Sequence, residues 1–272
     1  MSFYDRIRAI QEKNGSLLCI GLDPDLKKIP RQLHSCADPA GEFCERIVET
    51  TGDLVCAYKL NLAFFEGHEG SGWSSLKRVL ACIPADVMTI GDGKRGDIGN
   101  SAEMYAQTLL REFKFSATTV NPYMGEDSVR PFINNPEQGA FVLALTSNPG
   151  AQDFQYLKVR KKPLYEHVVA KAKRWNENKN IGFVVGATHP AQLKHVRTLA
   201  PDLPLLIPGV GAQDGSVKLT VHWGCDAHGT MALVNAGRSI IYASSGEDFA
   251  DAARLSARAL RDQINGYREQ FF

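Results

Sequence analysis

Short apolar runs, partly β-branched, recur along the chain at residues 17–22, 54–60, 87–91, 117–121, 140–145, 182–186, 205–207 and 233–236, with helical patterning between them. Such runs alternating with helices predict repeated βα units and a parallel sheet. Eight units in 272 residues match the content of an α/β (β/α)₈ TIM barrel, and an amphipathic helix over residues 3–13 is placed to close its bottom. A doubly wound sheet is the competing architecture. It ordinarily uses fewer strands per domain, and no Pro/Gly/Ser-rich linker or shift in composition divides the chain. The expectation is therefore one barrel domain over residues 1–272.

Asp38 followed by Pro39 reads as an N-cap with proline at the first helical position, and residues 42–48 continue a helical pattern up to Gly52. Residues 163–176 predict a further helix with Lys171, Lys173 and Arg174 on a solvated face. The nearby Lys158, Arg160, Lys161 and Lys162 would suit a nucleic-acid patch in a basic protein, but the formal net charge is +1, so the cluster reads as ordinary surface and no nucleic-acid partner is expected. With so neutral a chain, an anionic substrate has to be gathered by local positive groups. The six cysteines (Cys19, Cys36, Cys44, Cys56, Cys82, Cys225) form no CxxC pair, and Cys19 and Cys56 sit inside apolar runs, so all six read as reduced thiols. The first residues lack the charged-then-apolar layout of a signal peptide, and no apolar run approaches the roughly 18 residues of a membrane span. A cytoplasmic protein without a membrane partner is expected.

In a parallel barrel the C-terminal strand ends form the active face, so polar residues there are the candidates for chemistry. The first run ends Gly21-Leu22-Asp23-Pro24-Asp25, and the second holds Lys59 inside Tyr58-Lys59-Leu60-Asn61. Burying an ammonium without a partner costs on the order of several kcal/mol. Lys59 therefore either meets a carboxylate or a substrate oxygen near the barrel mouth or snorkels to solvent. The third run leads into Gly91-Asp92-Gly93-Lys94-Arg95-Gly96-Asp97-Ile98. If the strand continues through Lys94, the two-residue period puts Asp92 and Lys94 on one face and the two small glycines, Gly91 and Gly93, on the other. Gly96 then allows a sharp departure of the chain, and Asp97 extends the charged series onto the following loop. A structural ion-pair network is the bland reading of this cluster; a catalytic array is the sharper one.

Glycine-rich turns follow the seventh and eighth runs, at residues 208–215 and 235–240. Barrels hold phosphate at this place on backbone N–H groups, and Arg238 can add a bidentate contact. Gly209-x-Gly211 superficially suggests a dinucleotide fingerprint, but the third glycine falls one residue late and the motif lies near the C-terminus. His222, Cys225, Asp226 and His228 are potential metal ligands. Gly224 ends a helix among them and no other His or Cys is placed to complete a tetrahedral set, so no metal is expected. Ser147, in Thr146-Ser147-Asn148-Pro149-Gly150, is either a turn residue or a substrate hydrogen-bonder, and the roles of Asn61 and Asn121 stay open. Neither a Gly-x-Ser-x-Gly elbow nor an HExxH helix occurs, which leaves hydrolase and zincin readings without support.

These residues resemble the orotidine 5′-phosphate decarboxylase family. Asp92-Gly-Lys94-Arg-Gly-Asp97-Ile98 matches its Asp-x-Lys-x-x-Asp-Ile signature, and Lys59 matches its second-strand lysine. Asn121-Pro122-Tyr123-Met124-Gly125 with Pro131-Phe132, residues 146–150, residues 208–213 and Gly237-Arg238-Ser239 are similar to the longer, bacterial-type branch, so the resemblance covers about residues 15–245. It implies Lys94 as the proton donor to C6 of the pyrimidine within a network of Lys59, Asp92, Lys94 and Asp97. It further implies Asp23 and Lys59 at the ribose hydroxyls, Ser147 at the pyrimidine, and Gln213, Gly237 and Arg238 at the phosphate. Asp97, Ile98 and Ser101 match positions that the family contributes to the neighbouring subunit's site, which implies a homodimer with shared active sites. The aromatic phosphate contact that some members carry just before the glycine-rich loop has no counterpart here.

The implied reaction converts orotidine 5′-phosphate to UMP in pyrimidine biosynthesis, and its physics suits the residues. Loss of CO₂ from C6 leaves an in-plane carbanion that the ring π system cannot delocalise, so a fixed ammonium has to stabilise it and no cofactor is demanded. The rival readings are a keto-sugar-phosphate decarboxylase, which would need Mg²⁺ for an enediolate, and a non-catalytic nucleotide-binding protein.

Overall fold

The computed structural model describes residues 1–68, 70–210 and 216–272. Eight parallel strands close into a barrel: β1 (Leu18–Leu22), β2 (Ala57–Asn61), β3 (Met88–Arg95), β4 (Ala117–Val120), β5 (Gly139–Leu145), β6 (Ile181–Val185), β7 (Leu205–Pro208) and β8 (Ala232–Ala236). Each pairs with its sequence neighbours, and β8 returns to β1. Every run expected to be a strand is one. The runs are predominantly apolar because barrel strands are covered on both faces, by the packed interior and by the helical ring.

The main helices are α1 (Phe3–Lys13), α2 (Pro39–Thr51), α3 (Gly72–Cys82), α4 (Gly99–Ala106), α5 (Leu164–Trp175), α6 (Pro190–Leu199), α7 (Val217–Gly224) and α8 (Phe249–Phe271). Their caps follow the sequence signals. Asp38 accepts a hydrogen bond from Gly41 N with Pro39 at the first helical position, and Ser2 caps α1 by accepting from Asp5 N. Helix α1 closes the bottom of the barrel as expected. Its Gln11 clamps the start of β8, donating to Ala232 O at 2.8 Å and accepting from Met231 N at 3.0 Å, while the Tyr4 hydroxyl donates to Ile181 O at the start of β6.

The basic stretch forms a two-strand hairpin, Lys158–Val159 against Lys162–Pro163, exposed and turned through Arg160 and Lys161 in left-handed backbone. One part-buried cation does structural work that no pattern announced. Arg197 of α6 donates to the carbonyls of Gly224, Ala200, Pro201, Leu203 and Met231, tying α6 and α7 to the entries of β7 and β8. Burial pulls its pKa down to about 10, against the attraction of Cys225 and Asp226. All six cysteines are free, and no helix among the described residues is long and apolar enough to cross a membrane.

Candidate active site

The C-terminal strand ends surround a cavity of about 850 Å³ that gathers side chains from around the barrel. Strand register explains its charged floor. Lys59 of β2 lies opposite Gly21 of β1 and Ile90 of β3, so Asp23 and Asp92 each stand two residues, one same-face step, further toward the mouth. The long lysine stem rises between them. Lys59 Nζ donates to Asp92 Oδ2 at 2.9 Å and lies 3.7 Å from Asp23 Oδ1. Lys94 Nζ donates to the other oxygen, Asp92 Oδ1, at 2.7 Å.

Burial alone would neutralise these groups. Lys59 and Asp92 are only 6% and 7% exposed. For Lys59, desolvation works against the charge, but Asp92 and Asp23 outweigh it and hold its pKa above the ordinary lysine range. For Asp92, desolvation is likewise outweighed, by Lys59 and then Lys94, and its carboxyl is held well below the ordinary range. Lys59 and Asp92 are therefore both ionised. Lys94 is half exposed and reaches toward the open cavity.

Asp92 and Lys94 are side by side as expected, but not by a regular pleat. The register between β3 and β4 shifts between Gly91 and Arg95, and Lys94 sits in left-handed backbone at φ +46°. A non-glycine residue held there stores on the order of 1 kcal/mol or more, a conformation that persists where surrounding contacts enforce it. The chain leaves β3 at Gly96, but that glycine is not in the left-handed region; the residues held there are Lys94 and Gly99. Gly96 is instead where the chain passes Asn121, whose Cβ would lie 3.3 Å from an added methyl group.

Ser147, Gly209, Gly237 and Arg238 line the same cavity, with Gly237 packed beside Gly21 at the end of β1. Gln213 lies outside the described residues. Asp97, Ile98 and Ser101 are not brought to Lys94 within this chain. Asp97 accepts from Ile98 N at 2.8 Å, and Asp97 and Ser101 line a separate hollow of about 350 Å³. Met104 and Tyr105, which line it, and Ile98 next to Asp97 in the chain are exposed apolar side chains. Asn61 lines the main cavity while accepting from Ala63 N, and Asn121 forms a turn by accepting from Tyr123 N.

Three further residues line the cavity. Thr119 of β4, like Lys59, interrupts an apolar strand. Asn235 of β8 accepts from the Cys19 thiol at 3.5 Å. Tyr242 ties down the loop after β1: its hydroxyl donates to Asp23 O and accepts from Asp25 N, both at 2.7 Å, and its ring stacks on Phe43. Elsewhere Asp226 organises the turn after α7, accepting from His228 N, Thr230 N and the Thr230 hydroxyl. Among the described residues no three His, Cys, Asp or Glu side chains are gathered as metal ligands.

Residues 16–253 match the model of the orotidine 5′-phosphate decarboxylase / HUMPS family. The chain is 45% identical over 275 residues to the orotidine 5′-phosphate decarboxylase of Dehalococcoides mccartyi, covering 100% of both chains. It is 46% identical over 272 residues to that of Dechloromonas aromatica, covering 98% of this chain and 100% of the relative. Its fold is similar to the solved OMP decarboxylase of Leishmania donovani, with a TM-score of 0.87, 38% identity and 99% of each chain covered.

Proposed function

The chain belongs to the orotidine 5′-phosphate decarboxylase / HUMPS family, and from that premise we propose how its residues divide the reaction among themselves. It is a carbon–carbon lyase that decarboxylates orotidine 5′-phosphate to UMP in pyrimidine biosynthesis. The observation that carries the residue assignment is the hydrogen-bonded Lys59, Asp92 and Lys94 array in a cavity that Gly237 and Arg238 also line.

Lys94 stabilises the developing C6 carbanion with its ammonium and then delivers the proton to that carbon. Its hydrogen bond to Asp92, which remains ionised, aims the ammonium. Asp92 stands near the leaving carboxylate, Asp23 and Lys59 hold the ribose hydroxyls, and Ser147 reads the pyrimidine. Gly237, Arg238 and Gln213 hold the phosphate, whose binding far from C6 supplies energy for organising the reacting end. No step here calls on a metal or organic cofactor.

The working unit is a homodimer in a cytoplasmic setting, with Asp97, Ile98 and Ser101 completing the site of the second subunit. Supporting this is the separation of Asp97 from Lys94 within one chain and the exposed apolar rim around it. The test follows the fall in absorbance of orotidine 5′-phosphate. Lys94→Ala should abolish turnover while the protein stays folded and dimeric; near-normal turnover refutes the proton-donor role. Mixing Lys94→Ala with Asp97→Ala should restore activity toward about a quarter of the wild-type sites, since half of randomly formed dimers carry one intact site. No recovery despite demonstrated subunit exchange refutes sharing.

A further inference from the structure

Strand β4 places two threonines in succession, Thr118 and Thr119, and both are buried. A buried hydroxyl left without a partner costs about 1–3 kcal/mol, so each must be satisfied. Thr118 is satisfied structurally, donating to Gly91 O at 2.8 Å. Thr119 faces the cavity and bonds only to the reacting array: its Oγ1 lies 2.8 Å from Asp92 Oδ1 and 2.9 Å from Lys94 N. The directions are fixed by chemistry. An ionised carboxylate only accepts and a backbone N–H only donates, so the single hydroxyl proton goes to Asp92 and the oxygen receives the amide of Lys94.

The contact falls where the β3–β4 register shifts. The hydroxyl thus engages the amide of a residue in left-handed backbone, and also grips the carboxylate oxygen to which that residue's own ammonium donates. Lys94 N–H, Thr119 Oγ–H, Asp92 Oδ1 and Lys94 Nζ form a closed ring. We propose that Thr119 is a positioning residue for the decarboxylation, its hydroxyl fixing the direction of the Lys94 ammonium relative to the Lys94 backbone. The inference rests on the proton-donor reading of Lys94.

Thr119→Val keeps the side-chain shape and removes both bonds, whereas Thr119→Ser keeps the hydroxyl. With orotidine 5′-phosphate as substrate, Thr119→Val should lower kcat by about 10- to 100-fold while KM and the affinity for UMP change by less than about threefold. Thr119→Ser should retain kcat within about threefold of the parent. The acid limb of the kcat–pH profile should also move to higher pH in Thr119→Val, because Asp92 loses a donor that favours its charged form. The charged and titratable groups facing Asp92 stay in place: Lys59 from β2, Lys94 from β3, Asp23 and Cys19 from β1, and the partner subunit's Asp97 in the proposed dimer. If the valine variant does not fold, Thr119→Ala is read by the same measurements. Equal losses with serine and valine, a loss confined to KM, or an unchanged kcat with an unmoved acid limb overturns the proposal. Lys94→Ala measured alongside separates the failures. A dead Lys94→Ala beside a normal Thr119→Val overturns only the positioning role, while an active Lys94→Ala overturns the reading beneath it.

Discussion

Lys59→Met replaces the buried ammonium by an apolar side chain of similar length and tests whether the charged floor is held by its pairing. The deletion strips Asp92 Oδ2 of its 2.9 Å donor and Asp23 of its nearest cation at 3.7 Å. Removing one partner of a buried pair costs about 3–5 kcal/mol because the other charge stays behind in a poorly hydrated place. Asp92 keeps Lys94 and Thr119 on Oδ1, so the lower end applies, about 3 kcal/mol. In a chain of this size that is a fall in Tm of about 6–12 °C. The double variant Lys59→Met with Asp92→Leu removes the stranded charge and should be more stable than the sum of the single changes by about 1 kcal/mol or more.

The pH dependence has a definite sign. Asp92 is depressed in the folded state, so its contribution is complete above the unfolded aspartate value of about 3.9 and is lost as pH falls through the lower folded value. Lys59 is raised, so its contribution is complete below about 10.4 and is lost only as pH climbs through the higher folded value. The Tm gap between parent and Lys59→Met, followed by calorimetry, should therefore be flat from about pH 5 to pH 9 and narrow below about pH 4. A gap under about 2 °C at neutral pH, or one that widens on acidification, would refute the reasoning.

Three further outcomes follow from particular contacts. A methyl group at Gly186 would stand 2.4 Å from Ser147 Oγ, so Gly186→Ala should turn Ser147 away and weaken UMP binding about tenfold, measured by calorimetric titration, with the barrel still folded. Tyr242→Phe removes the bridge between Asp23 O and Asp25 N and should raise KM about three- to tenfold in the steady-state assay; an unchanged KM would show that Asp23 is held by other contacts. Arg197→Met strands several carbonyls at the joins of α6, α7, β7 and β8 and should lower stability by about 3 kcal/mol or more in thermal unfolding, without a selective effect on KM.

The barrel was legible because its strands are short, largely apolar and separated by helices with ordinary caps, features each segment carries in itself. Asp38 and Pro39 are one example, and the α1 span is another. The chemistry-bearing residues were legible where a polar group broke an apolar run: Lys59 could not be buried alone, and the Asp92 to Asp97 segment could not be read as plain core. Thr119 broke its strand in the same way, but a hydroxyl carries far less desolvation cost than an ammonium and so a weaker signal. Tyr242 gave none, since its partners lie more than two hundred residues away in sequence.

The sequence by itself determined that Lys59 needs a polar partner or a way to solvent, that a strand running through Lys94 sets it beside Asp92, and that glycine-rich turns follow the seventh and eighth strands. Only the tertiary structure decided which partner and in what pose. Barrel closure puts β1 and β3 on either side of β2 and sets the register by which Asp23 and Asp92 overhang Lys59. The left-handed turn at Lys94 depends on β4 in the same way, because the hydroxyl that grips it belongs to a strand 25 residues on. Local composition specifies the elements and the needs of buried groups, while the meeting of those needs is a property of register and closure, which no single segment contains.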